Sequence, residues 1–192
     1  SGSKLSILTI SGHLPPLYKQ IDFEITLNEA LEAYRELGIE DYEFSKIPAT
    51  FVHQQPVAKL NGLISNFIKD RNPDAVFIPF PDRHIDHRTI FDASVVACRP
   101  VSNSYPKLVL AYETLSETHW NVPGIEAYFS PDYFIDISDN INQKLRALSK
   151  YKSQLKGNES RSLESCKALA KFRGSQNGCE YAEAFKLIRS II

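Results

Sequence analysis

The stretch Pro79-Phe80-Pro81-Asp82-Arg83-His84-Ile85-Asp86-His87-Arg88 decides how this chain is read. It follows Ala75-Val76-Phe77-Ile78, a short apolar run bounded by turn residues, which reads as a buried strand. Thr89-Ile90-Phe91-Asp92-Ala93-Ser94-Val95-Val96-Ala97 comes next, part of a helix expected from about Arg88 to Cys98. Two histidines and two aspartates therefore crowd into one strand-to-helix turn. In open α/β sheets such a turn lies at the carboxyl end of a strand, where ligands bind.

Working outward toward the N-terminus, Lys4 to Ile10 is a β-rich run broken by Gly12, and His13-Leu14-Pro15-Pro16 is a loop. Thr26 to Leu37 has helical periodicity, with Thr26 and Glu29 in capping-box spacing and Gly38 as terminator. Lys46 to His53 reads as a second strand, Pro56 to Lys69 as an amphipathic helix, and Asn72-Pro73-Asp74 as a turn. Beyond the motif, Pro100 to Pro106 is a loop, Leu108 to Tyr112 a strand and Tyr133 to Ile137 a last strand. Ser138 or Asp139 caps a helix expected to run to about Gln154. The polar stretch Lys156 to Ser160 and helices over Ser162–Arg173 and Glu180–Ile191 complete the chain. Strands alternating with helices predict an α/β fold with a mostly parallel sheet and helices on both faces, in a single domain over residues 1–192.

Composition excludes several classes. The 192 residues are 43% hydrophobic and 23% charged, with net charge -1, so no basic footprint for nucleic acid exists. No apolar run has the length of a membrane span, and the first residues lack the pattern of a signal peptide. The three cysteines, Cys98, Cys166 and Cys179, form no CxxC pair; they read as packed, reduced thiols, and the expected compartment is cytoplasmic.

Histidine and carboxylate are common partners at metals. His84 and His87 can both face the sheet edge, and Asp86 between them can orient either imidazole. For any one of these residues, a solvated polar side chain at a helix N-terminus is the plainer explanation. Their clustering at a strand end favours a site. His119 and Trp120 lie in an aperiodic loop, Ser116 to Pro123, of the kind that forms binding surfaces. Arg173 and Glu183 either bind substrate hydroxyls or pair with each other across the last turn. His13 and His53 read as loop histidines, and Gly174 and Gly178 as a helix terminator and a turn residue.

Asp82-Arg83-His84-Ile85-Asp86-His87-Arg88 resembles the second signature of the PIG-L/LmbE-like zinc de-N-acetylases. The resemblance continues through Asn28-Glu29-Ala30 to Ala33, Leu37-Gly38, Tyr112-Glu113 and Asp136-Ile137-Ser138. It goes on through Lys144, Ala147, Leu148, Tyr151, Ser153 and Gln154, then Arg173-Gly174 to Gly178 and Tyr181-Ala182-Glu183-Ala184-Phe185. It implies a three-layer Rossmann-like fold and removal of acetyl from an N-acetylated amino sugar of the N-acetylglucosamine type. It implies Zn2+, or another divalent metal, held by His87. A metal-activated water would attack the amide, His84 would stabilise the oxyanion or protonate the leaving amine, and Asp86 would orient a histidine.

That family's first signature, a strand followed by His-Pro-Asp-Asp, has no counterpart here, so a first βα unit upstream of Ser1 is expected to be missing. An inactive or fragmentary sugar-binding relative is the alternative. A metallo-β-lactamase-like hydrolase is a weaker one, because His119 is the only later histidine. The expected partner is a small-molecule or glycoconjugate amino sugar, and self-association is left open.

Overall fold

A computed structural model of the chain describes residues 2–101, 105–155, 157 and 159–192. Its strands are β1 (Ser6–Gly12), β2 (Asp41–Pro48), β3 (Ala75–Pro79), β4 (Leu108–Tyr112), β5 (Tyr133–Asp136) and β6 (Ala182–Ser190). Its helices are α1 (Gln20–Leu37), α2 (Val57–Arg71), α3 (Ile85–Ala97), α4 (Ile141–Leu148), α5 (Lys152–Leu155) and α6 (Leu163–Ser175). Short 3₁₀ turns occupy Val52–Gln54, Glu117–Trp120 and Glu159–Arg161. Two compact units result: Ser1–Ala49 with Phe134–Glu183, and Thr50–Tyr133 with Ala184–Ile192. Parts of the expected loop Pro100–Pro106 and of the polar stretch Lys156–Ser160 lie outside the described residues.

In the first unit β1 and β2 pair in parallel, from Ser6 opposite Asp41 to Gly12 opposite Pro48. The crossover between them is α1, which turns Ala30 and Tyr34 inward to a cluster with Ile39, supported by Ile7, Leu31, Phe44 and Tyr151. Gly38 ends α1 in the left-handed region (φ 70), where a residue without Cβ meets no steric penalty. The helix starts a turn and a half before the expected Thr26. Asp22 caps it by accepting the Lys19 N–H at 2.8 Å, while the Thr26 hydroxyl donates inside the helix to the Asp22 and Phe23 carbonyls. A hydroxyl spaced like a cap is thus used within the helix.

The second strand also lies earlier than expected, over Asp41–Pro48 rather than Lys46–His53. Thr50 takes φ 69, which no strand tolerates, and Val52–Gln54 then coils. The long helix expected to reach Gln154 breaks at Ser149–Tyr151 into α4 and α5, and its N-cap is Asn140. Ser138 instead donates its hydroxyl to Asp136.

In the second unit β3 and β4 are parallel, from Ala75 opposite Leu108 to Pro79 opposite Tyr112. β6 runs antiparallel on the other edge of β4. The helix expected over Glu180–Ile191 is therefore a strand for most of its length. Val109, Leu110 and Ala111 of β4 are fully buried, so both edges of that strand need partners, and β6 supplies the second. Ala182, Ala184 and Phe185 are apolar enough for either period, and the pairing with β4 decides it. α3 begins at Ile85, one turn before the expected Arg88, because His84 caps it. No helix of the described residues is long and apolar enough to cross a membrane.

Gly174 lies inside α6 rather than terminating it. A Cβ there would sit 2.7 Å from the Cys179 carbonyl oxygen and 2.8 Å from the Glu180 backbone. Gly174→Ala should therefore destabilise the protein by about 1–3 kcal/mol, read as a lower denaturant midpoint with an unchanged m-value. An unchanged midpoint would show that the chain after α6 gives way freely.

Candidate active site

The parallel pair β3–β4 ends in register at Pro79 and Tyr112, and the Phe80 N–H still donates to the Tyr112 carbonyl at 3.0 Å. Both chains then turn at the same edge. Phe80 is buried edge-on against Phe129, with centroids 5.1 Å apart, which fixes where the motif leaves the sheet. The next polar side chain, Asp82, is 1% exposed.

Asp82 is the acceptor around which the site is assembled. Its Oδ1 accepts from the His84 N–H at 3.0 Å and lies 2.8 Å from His87 Nδ1. Its Oδ2 accepts from the Thr118 hydroxyl at 2.8 Å. Burial alone would push this carboxyl up. The His87 hydrogen bond and charge, with the bonds from His84 and Thr118, outweigh burial and hold it below the ordinary 3.8. Burial and the Asp82 charge push the neighbouring Tyr112 hydroxyl up to about 12, although 38% of that residue's surface is exposed.

These contacts settle the chemistry of the two imidazoles. A carboxylate only accepts, so His87 Nδ1 carries a proton, and in the neutral ring its Nε2 presents a lone pair. A backbone N–H only donates, and the Asp86 N–H reaches His84 Nδ1 at 3.1 Å, so the ring proton of neutral His84 sits on Nε2. The rings stack with centroids 4.9 Å apart. One offers a base or ligand and the other a donor.

Asp86 is also buried. Its carboxylate accepts from the Thr50 N–H at 2.7 Å and the Val52 N–H at 3.3 Å. It fixes the segment that packs on α3, and the carboxylate bonded to His87 is that of Asp82. Asp86 contributes to imidazole placement through its backbone N–H.

The loop after β4 reaches back to the motif twice. Thr118 touches Asp82. Further on, Glu126 Oε1 pairs with Arg83 Nη1 at 2.7 Å and Arg88 Nη1 at 3.8 Å. Glu126 Oε2 accepts the Val122 N–H at 2.8 Å, and that bond, with the two guanidiniums, holds its carboxyl below the usual range against desolvation. Between these points stand His119, whose Nε2 is 3.4 Å from Glu113 Oε2, and Trp120, 55% exposed.

Of the residues singled out in the sequence, His84, Asp86 and His87 share one turn, and His119 and Trp120 lie on the loop bound to it. Arg173 and Glu183 belong to the first unit. There Arg173 donates to Gln176 at 3.2 Å and Glu183 forms an ion pair with Lys144. His13 stacks on Tyr18, and His53 lies in the 3₁₀ turn after Thr50. Burial pushes the Cys98 thiol up to about 11, with Arg189 opposing, which suits a packed thiol rather than a nucleophile. The sequence undervalued Asp82, whose signal was its place directly after a buried strand. It gave no sign of Thr118 or Glu126, which lie 36 and 43 residues from their partners.

The donors fit one metal-ligand position, His87 Nε2 with a carboxylate on its Nδ1, the way metal-bound histidines are commonly held. Among the described residues no group of three or more His, Cys, Asp or Glu side chains could hold an ion. One such position does not make a metal site by itself.

Residues 15–98, which include the motif, match the family model PIG-L, GlcNAc-PI de-N-acetylase. A conserved protein from Thermus thermophilus has a similar structure, with TM-score 0.76, 23% identity, and coverage of 100% of this chain and 84% of that one. The N,N'-diacetylchitobiose deacetylase from Pyrococcus horikoshii gives 0.69 at 20% identity, covering 95% and 72%. The 4-carboxy-2-hydroxymuconate hydratase GalB from Pseudomonas putida gives 0.77 at 17% identity, covering 98% and 85%. These likenesses establish the fold; a deacetylase and a hydratase share it.

Asp82→Asn replaces an acceptor with a group that cannot serve all three donors, and should cost about 1.5–3 kcal/mol of stability at neutral pH. Because the native Asp82 pKa is lowered, its contribution is present above the ordinary 3.8 and is lost as pH falls through the native value. The gap between wild type and Asp82→Asn in urea unfolding should be fully present above the ordinary 3.8 and narrow as pH falls from there through the native value. A gap that does not narrow as pH falls below the ordinary 3.8 would contradict the hydrogen-bond assignment.

Proposed function

We propose, from the PIG-L resemblance of residues 15–98, that this protein is a metal-dependent amidohydrolase removing acetyl from an N-acetylated amino sugar. The observation that carries the reading is the opposed state of the two imidazoles: a lone pair at His87 Nε2 and a proton at His84 Nε2, within one turn. The family match and the fold shared with a diacetylchitobiose deacetylase support it.

In this reading His87 is one ligand of a zinc ion, or another divalent metal, and the remaining donors come from outside the His84–His87 turn. A metal there would lower the pKa of a water and polarise the amide carbonyl. Asp82 keeps Nδ1 of His87 protonated, so that Nε2 stays a ligand. His84 donates from Nε2 to the oxygen that gains charge, or passes that proton to the departing amine. Asp86 and its partners Thr50 and Val52 hold the turn that positions both rings. His119 and Trp120 contact the sugar, since an exposed aromatic ring can stack on the apolar face of a pyranose. Arg173 and Glu183, proposed at the sequence level as substrate ligands, have structural ion-pair and hydrogen-bond partners and take no part in this mechanism. The free thiols suit a reducing cytoplasm.

The test separates the two histidines. His87→Ala should lose bound zinc, measured by elemental analysis, together with amine release from N-acetylglucosamine. His84→Ala should keep the metal and lose about 10²–10⁴ in kcat. If His87→Ala left metal content and amine release unchanged, the assignment would be wrong.

A further inference from the structure

Glu126 is not part of the motif, and nothing in the mechanism above uses it. Yet it joins Arg83, which directly precedes His84, to Arg88, which directly follows His87, so one carboxylate spans the histidine turn from both sides. The same carboxylate accepts the Val122 N–H. The turn it closes is reinforced by Glu126 N–H to Val122 O at 3.0 Å and by the Asn121 side-chain amide donating to Ala127 O at 2.8 Å. An isolated exposed ion pair is worth little. Here one anion serves two cations and a backbone amide, and the loop ordering is shared among the three contacts.

The other end of this loop is fixed differently. Thr118 is buried and donates to Asp82, and its oxygen accepts the Thr114 N–H at 2.8 Å. Two residues earlier, Ser116 adopts φ 77 and ψ -76, the strained geometry of a three-residue turn. Strain of this kind persists only where surrounding contacts enforce it. The strap 119–125 is therefore pinned at one end to the carboxylate behind His87 and at the other to the arginines flanking the motif. Its exposed side chains include His119 and Trp120.

We propose that Glu126 is a positioning residue that clasps this strap to the histidine turn, so that the strap governs substrate affinity while Thr118 governs the chemistry. The inference rests on the amidohydrolase reading. Contacts from His119 and Trp120 act equally on bound substrate and transition state, so loosening them raises KM and leaves kcat. Thr118 acts through Asp82 on His87, so removing its hydroxyl lowers kcat.

Amine release from N-acetylglucosamine by the metal-loaded full chain tests this. Glu126→Gln should raise KM about tenfold with kcat within about twofold, a tenfold change being about 1.4 kcal/mol. Thr118→Val should lower kcat about tenfold at little change in KM, and Thr118→Ser, which keeps the hydroxyl, should restore it. Trp120 is the only tryptophan in the sequence, so acrylamide quenching reports on the strap alone, and Glu126→Gln should raise the quenching constant. An unchanged KM in Glu126→Gln, or both variants losing the same constant, overturns the division of roles. Unchanged quenching overturns the clasp. A wild type that releases no amine overturns the amidohydrolase reading instead, and quenching then still decides whether Glu126 holds the strap.

Discussion

A buried carboxylate with three donors on it organises the second unit. An ionised aspartate removed from water costs several kcal/mol unless its oxygens are satisfied, and at Asp82 they are satisfied by groups from three places. The His84 N–H comes from the helix start, the His87 ring from the first helical turn, and the Thr118 hydroxyl from the loop after β4. Removing any one leaves a buried acceptor short. The carboxylate therefore couples the strand end, the helix and the loop. The same demand determines which nitrogen of His87 carries its proton.

Asp86 repeats the device four residues further on, with different partners. Its oxygens take the Thr50 and Val52 amides, which brings the segment after Ala49 onto the start of α3. Thr50 is β-branched and sits at φ 69, a conformation that costs free energy and needs outside support. The 2.7 Å bond from its own N–H to Asp86 is that support. Strain at Thr50 and at Ser116 thus flanks the two buried carboxylates. At Thr50 the unfavourable backbone is held directly by a charged acceptor.

What the sequence disclosed follows from the range of the interactions. β3, β4 and α6 were legible because apolar runs, turn residues and a serine cap are local signals. β6 was not, because whether Ala182 to Ser190 is helix or strand depends on the open edge of β4, far away in sequence. The start of α1 lies earlier than expected because the Asp22 carboxylate caps it by accepting the Lys19 N–H, while a better-looking threonine lay further on. At the site, His84, Asp86 and His87 stood out by spacing. The difference between Asp82 and Asp86 could not be read: both are buried aspartates in one short stretch, and only the fold shows which one meets an imidazole and which meets backbone amides.

A fold common to a deacetylase and a hydratase does not choose a reaction. The atoms facing outward from the turn narrow that choice. Two adjacent histidines with interchangeable tautomers would offer general base chemistry of no fixed direction. Here each Nδ1 is committed, one to an acceptor and one to a donor, and the two Nε2 atoms are left opposite in character. A lone pair beside a proton suits a reaction in which one centre binds a Lewis acid while its neighbour meets developing negative charge. Cleavage of an amide with departure of an amine has both needs. Had Asp82 and the Asp86 amide been exchanged, the same two residues would present the opposite pair of groups, so the direction of the chemistry lies in these two hydrogen bonds rather than in the presence of the histidines.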